Sequence, residues 1–108
     1  MSKQIVRPNK LKDVLNHVRW CIEKGNYKFT RHALERKEQR SFTLPDILYI
    51  LKYGSHEKAK DDFDEHSLKW KYSIRGKTVE KKEGRVIVTL DNSGMLIITV
   101  IRLNIKEP

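Results

Sequence analysis

A chain of 108 residues has room for one hydrophobic core and none for a second domain. With 38% hydrophobic and 34% charged residues it can bury a core under a wet surface, and 23 Lys plus Arg against 14 Asp plus Glu set a formal charge of +9, which favours a polyanionic partner. The one cysteine, Cys21, excludes an internal disulfide and fits the reducing cytoplasm, residues 1 to 10 lack a signal-peptide core, and the longest apolar stretch, Met95 to Ile101, is too short to cross a membrane.

Leu11, Val14, Leu15, Val18 and Ile22 recur at helical spacing and predict a first helix over about 10–24, with Asn9 as its cap and Gly25 closing it. Thr30 is the N-cap expected of a second helix ending near Arg40, with Phe29 and Leu34 at the spacing of a hydrophobic staple. Only Ala33 and Leu34 are apolar in it, so its charged surface is wider than a scaffold helix needs. Thr43, with Asp46 three positions on and Pro45 between them, opens a third helix. Its Leu44, Ile47, Leu48 and Leu51 share one face, and Gly54 stops it.

The period then changes from helical to alternating. His56 to Phe63 reads as an edge strand or a loop. Leu68, Trp70, Tyr72 and Ile74 alternate with Lys69, Lys71, Ser73 and Arg75, the pattern of a strand buried on one side and cationic on the other. After a turn at Lys81 to Gly84, Val86 to Leu90 and Met95 to Ile101 read as a hairpin of central strands around Asp91 to Gly94. The expected architecture is α+β, with N-terminal helices over about 10–53 packed on a three- to four-stranded antiparallel sheet over about 56–103. Leu15, Val18, Ile47, Leu51, Trp70, Ile87, Val88 and Ile98 are its expected core.

On the second helix His32, Arg36 and Arg40 stand at i, i+4 and i+8 and form, with Gln39, one stripe. It sets a group that titrates near neutrality beside two planar cations whose forks match phosphate oxygens, a combination suited to phosphodiester chemistry. The same residues also fit a solvated helix face balanced by Glu35 and Glu38, which on spacing alone is the better account. Lys69, Lys71 and Arg75, with Arg85 and Arg102 flanking the central strands, would make a cationic floor that positions phosphates; a row of strand lysines that blocks aggregation explains them about as well. Trp20, Phe63, Trp70 and Tyr72 are able to stack on bases, although Trp70 fits the core better. His17 and Cys21 can offer two corners of a metal site, but no second pair has ligand spacing, so neither metal nor cofactor is expected. No phosphate-binding loop, dinucleotide fingerprint or serine-hydrolase elbow is present in the sequence.

The stretch Tyr27 to Gly54, YKFTRHALERKEQRSFTLPDILYILKYG, resembles the N-terminal signature of the family called domain of unknown function 4258, and the later YSIRG and LIITVI resemble its strand signatures. The similarity spans roughly residues 27 to 102. The family usually has Gly and an aliphatic residue after the second Arg, where this chain has Ser41 and Phe42, and often an aromatic at the close of the last strand, where this chain has Ile101 and Arg102. The resemblance implies kinship with the barnase, colicin and RelE-like group of metal-independent ribonucleases, including toxins of toxin–antitoxin pairs. His32 and Arg36 match the most characteristic family positions, and Arg40, Tyr72 and Arg75 match less strictly. The leading expectation is therefore a metal-independent endoribonuclease acting on RNA, with an acidic antitoxin as a further partner. His32 would be the base or acid, Arg36, Arg40 and Arg75 the phosphate clamp, and Tyr72 a proton donor or orienting group. The alternative is a binding module for nucleic acid or an acidic protein that uses the same surface without cleavage.

Overall fold

The computed structural model describes residues 7–103. Within them run α1 (Val14–Glu23), β1 (Tyr27–Phe29), α2 (Arg31–Gln39), α3 (Leu44–Tyr53), β2 (Ser55–His56), β3 (Asp62–Asp64), β4 (Lys69–Lys77), β5 (Glu83–Asp91) and β6 (Gly94–Arg102), with a single 3-10 turn at Lys58–Lys60. Thr30 caps α2 by accepting the Ala33 N–H at 3.0 Å. Thr43 and Asp46 exchange bonds of 3.1 and 2.9 Å across the first turn of α3, which begins on Leu44 and Pro45. α1 starts later than its apolar period, at Val14 rather than Lys10, and Asn9 does not cap it. The Leu11 N–H bonds the Tyr72 hydroxyl at 3.0 Å instead, so residues 10–12 run over the sheet rather than wind into the helix.

α1 and α2 end in the same motif. The N–H of Gly25 bonds the carbonyl of Ile22 and that of Asn26 the carbonyl of Cys21; in α2 Ser41 bonds Glu38 and Phe42 bonds Lys37. The residue after each cap is left-handed, with φ +68 at Gly25 and +58 at Ser41. The Ser41-Phe42 departure therefore keeps the geometry of a glycine followed by an apolar residue: Ser41 takes the left-handed turn and Phe42 enters the core. Gly54 serves α3 differently. Its backbone is extended, and a Cβ there would lie 2.5 Å from the carbonyl oxygens of both Arg75 and Ile50, so the glycine lets the helix end lie directly on β4.

The sheet is six-stranded and mixed, in the order β1-β6-β5-β4-β2, with β3 also on β4. It corrects the expectation of three or four antiparallel strands. β1 lies between two helices in sequence and joins parallel to β6, Tyr27 opposite Met95 and Phe29 opposite Ile97. The stretch from His56 to Phe63 is both edge strand and loop: β2 and β3 occupy two parts of the β4 edge, separated by the 3-10 turn. Leu68 stands outside its strand, exposed in a turn with φ +56.

Register assigns the two faces. Tyr72 pairs with Val88, Ile74 with Val86 and Gly76 with Gly84, and this face carries the core with Val18, Cys21, Ile47, Ile50 and Leu51 of α1 and α3. Ser73 pairs with Ile87 and Arg75 with Arg85 on the opposite, open face. Of the expected core, Val18, Ile47, Leu51 and Val88 are buried, whereas Leu15, Trp70, Ile87 and Ile98 are half-buried. Ile87 belongs to the open face by alternation, and a bulge beside Val88 leaves Ile98 without a partner in the ladder. α2 lies along the part of β6 that β1 leaves free. Thr30 donates to the carbonyls of Ile97 and Ile98 at 2.9 Å each, and Arg40 to that of Val100 at 2.8 Å.

Candidate nucleic-acid interface

The face that α2 turns to β6 is made of Ala33, Arg36, Lys37 and Arg40, of which Ala33 is fully buried and the three cations half-buried. Leu34, the other apolar residue of the helix, is exposed. The stripe read from the sequence is thus split. His32 stands in solvent on the flank with no hydrogen bond or ion pair among the described residues, Arg36 bonds Gln39 at 2.6 Å, and Arg40 folds inward onto the strand.

The end of α2 gathers cations from three elements. Arg40 reaches the Val100 carbonyl, Lys82 the Ser41 carbonyl at 2.9 Å, and Arg102 the Arg40 carbonyl at 3.4 Å with its guanidinium 5.9 Å from the Phe42 ring. Helix-end carbonyls carry partial negative charge, which explains why cations settle there. Carbonyls leave the net charge of the cluster intact: the one carboxylate that pairs with these three among the described residues is the exposed Glu80, 3.7 Å from Lys82. The Nε atom of Arg102 is buried without a hydrogen-bond partner among the described residues.

The open face of the sheet has the opposite electrostatics. Arg85 holds both oxygens of Glu57, at 2.7 and 3.3 Å, and Arg75 lies 3.6 Å from the same carboxylate while its Nε donates to Glu83 at 2.7 Å. Lys69 pairs with Asp91 at 3.1 Å and Lys71 with Asp64 at 3.5 Å. The hydrogen bond from Arg85 holds the Glu57 carboxyl below its ordinary range, and the bond that Arg75 donates to Glu83 raises Arg75. Hydrogen bonds from Ser93, then Lys69, bring Asp91 down to about 2. Lys69, Lys71, Arg75 and Arg85 therefore form a floor of ion pairs, and a phosphate arriving there would have to displace a carboxylate.

Tyr72 lies elsewhere again, 3% exposed on the helix-covered face. Its ring meets His56 edge-on at 5.8 Å between centroids. Beside it the fully buried Asp61 carboxylate accepts from His56 Nε2 at 2.8 Å, Lys10 Nζ at 3.1 Å and the Ser73 N–H at 3.0 Å. Lys10 also sits 5.0 Å from the centroid of the Trp70 ring, and the Trp70 indole N–H donates to the Pro8 carbonyl at 2.7 Å. This cluster ties residues 7–11 to the sheet. His56 and Asp61, five positions apart, are brought together by the 3-10 turn between them, and pairing with β4 adds Tyr72 and Ser73. Glu57 had one available signal, because Arg75 and Arg85 facing each other across a hairpin require a nearby carboxylate.

His32 and Arg36 on α2, Tyr72 under the N-terminal segment and Arg75 on the open face thus occupy three surroundings, each with its own partners. Cys21 is buried, its thiol pushed up by burial and then by Asp91, and no group of three or more potential metal ligands occurs among the described residues. No helix among the described residues is long and apolar enough to cross a membrane. Residues 29–102 match the family model described as Domain of unknown function (DUF4258). A comparison with curated proteins found no match.

Proposed function

Because the chain belongs to the DUF4258 family, whose matched region takes in α2 and all of β2 to β6, we propose that it grips the phosphate backbone of RNA with the end of α2 and the adjoining ends of β5 and β6. One observation carries this reading: Arg40, Lys82 and Arg102 converge on the turn after α2 and are held there by main-chain carbonyls, whereas the sheet-face cations are matched by carboxylates. Arg36 and Lys37 extend the same positive surface along the helix. Such contacts position a backbone without reading bases. The test is binding of a labelled RNA pool over a salt series. Affinity falling steeply with salt supports the reading, and a flat dependence overturns it.

A second reading is favoured by His32, exposed one helical turn before Arg36. There the protein is a metal-independent endoribonuclease of the barnase, colicin and RelE-like group and the toxin of a toxin–antitoxin pair. His32 would take the ribose 2′-hydroxyl proton while the attacking oxygen displaces the 5′-oxygen at phosphorus, and Arg36 would stabilise the phosphoryl oxygens. Tyr72, whose hydroxyl accepts the Leu11 N–H, is not needed in this scheme. Incubation with RNA and with DNA in excess chelator separates the readings. RNA cut with DNA spared supports cleavage, whereas tight binding with both left whole leaves binding alone.

A further inference from the structure

α1 and α3 leave a groove on the side they turn away from the sheet. It consists of two depressions of about 700 and 420 Å³ that share Ile22, Lys52 and Tyr53. Leu48 and Pro45 extend its apolar floor, and Tyr49 and Tyr53 stand along it in ring contact, 4.7 Å between centroids. Tyr53 is 63% exposed, so the pair presents apolar area that the fold itself does not use.

The charge around this floor is one-sided. Arg19 is fixed by its bonds to the Lys52 carbonyl at 2.8 Å and the Gly54 carbonyl at 3.3 Å. Neither Arg19 nor Lys52 is paired with a carboxylate among the described residues, and Glu23 is the single acid in the lining. We propose that this groove docks an acidic amphipathic helix of a partner protein, whose apolar stripe covers Ile22, Leu48 and the two tyrosines while its carboxylates meet Arg19 and Lys52. A second copy of the chain is disfavoured by the +9 charge that each would bring. RNA has no aliphatic surface to cover Ile22 and Leu48. The groove shares no residue with the α2 surface, so the two functions are separable.

The probe is a fluorescein-labelled helical peptide of roughly 16 residues, long enough to span both helices, with Leu at i, i+3, i+4 and i+7 and Glu at most other positions. Wild-type protein is expected to bind it below about 50 µM at low salt. Tyr53→Glu, which places a charge at an exposed site and leaves the core intact, and Lys52→Glu should each weaken it about tenfold or more with an unchanged melting curve, while binding of a labelled RNA pool is retained. The proposal is overturned by no peptide binding at that concentration, by equal binding by wild type and both variants, or by loss of RNA binding in Tyr53→Glu, which would make the groove an RNA surface. Sedimentation showing a wild-type dimer that Tyr53→Glu dissociates would instead assign the groove to a second copy and also overturn it.

Discussion

Arg75 and Arg85 stand directly opposite each other on the open face of the sheet, and Glu57 lies between them in contact with both. Two cations in register repel, and Glu57 with Glu83 turns that repulsion into a four-residue network. Glu57→Gln should free Arg85 while leaving Arg75 on Glu83, cost about 1 kcal/mol in urea unfolding, and steepen the salt dependence of RNA binding. If binding and its salt slope stay as in wild type, the sheet face takes no part even when Arg85 is released.

The same carboxylates set the acid limit of the fold. Glu57 and Asp64 have folded pKa values below their ordinary range, through Arg85 and through the His66 N–H respectively, and Asp91 is brought to about 2. A group lowered in the folded state contributes stability above its unfolded value and loses it as pH falls through its folded value. Unfolding free energy should therefore be level near neutrality and decline below about pH 4.5, with the Asp91 contribution surviving to about pH 2. Denaturant titrations at successive pH values measure this, and Glu57→Gln should make the upper part of the decline shallower.

Ser41 occupies a left-handed position that Gly25 fills at the end of α1. Ser41→Gly removes the strain of a Cβ there and should stabilise the protein by about 1 kcal/mol, raising its melting temperature by roughly 4–8 °C. A β-branched residue at the same site should lower it. A melting temperature unchanged by both substitutions would mean that this turn carries no strain.

The side chain of Asp61 is fully buried and holds His56, Lys10 and the Ser73 N–H. Asp61→Ala leaves His56 and the Ser73 N–H without this partner, holds Lys10 by the Lys58 carbonyl alone, and should cost about 3 kcal/mol in urea unfolding. It should also release the segment around Lys10, which faster exchange of the Leu11 amide would report, since that N–H bonds Tyr72.

The split between the two basic surfaces predicts unequal mutants. Arg40→Ala and Arg102→Ala should each weaken RNA binding without changing sequence preference and lower the log-log salt slope by about 0.7, the value of one phosphate contact to a single strand. Lys69→Ala and Lys71→Ala, which remove charges already met by Asp91 and Asp64, should change it little. Equal losses at both surfaces would place the contact on the sheet after all.

What the sequence alone determined were the features set by neighbours along the chain. Thr30 and Thr43 cap, Gly25 closes α1, and the β5–β6 hairpin and the alternation from Trp70 to Arg75 follow from residue type and a period of two or 3.6. The basic character of α2 was equally legible, because composition reports it directly. Only the tertiary structure decided the rest. Tyr27–Phe29 is too short to show a period and becomes a strand because β6 offers it an edge. Whether a cation is free or matched depends on carboxylates far away in the chain: Glu57 reaches Arg85 across 28 positions, while Arg40 rests on a neutral strand carbonyl 60 positions on and keeps its charge. Coulomb energy follows distance in space, and the spatial pairing of those residues exists only once the sheet has closed.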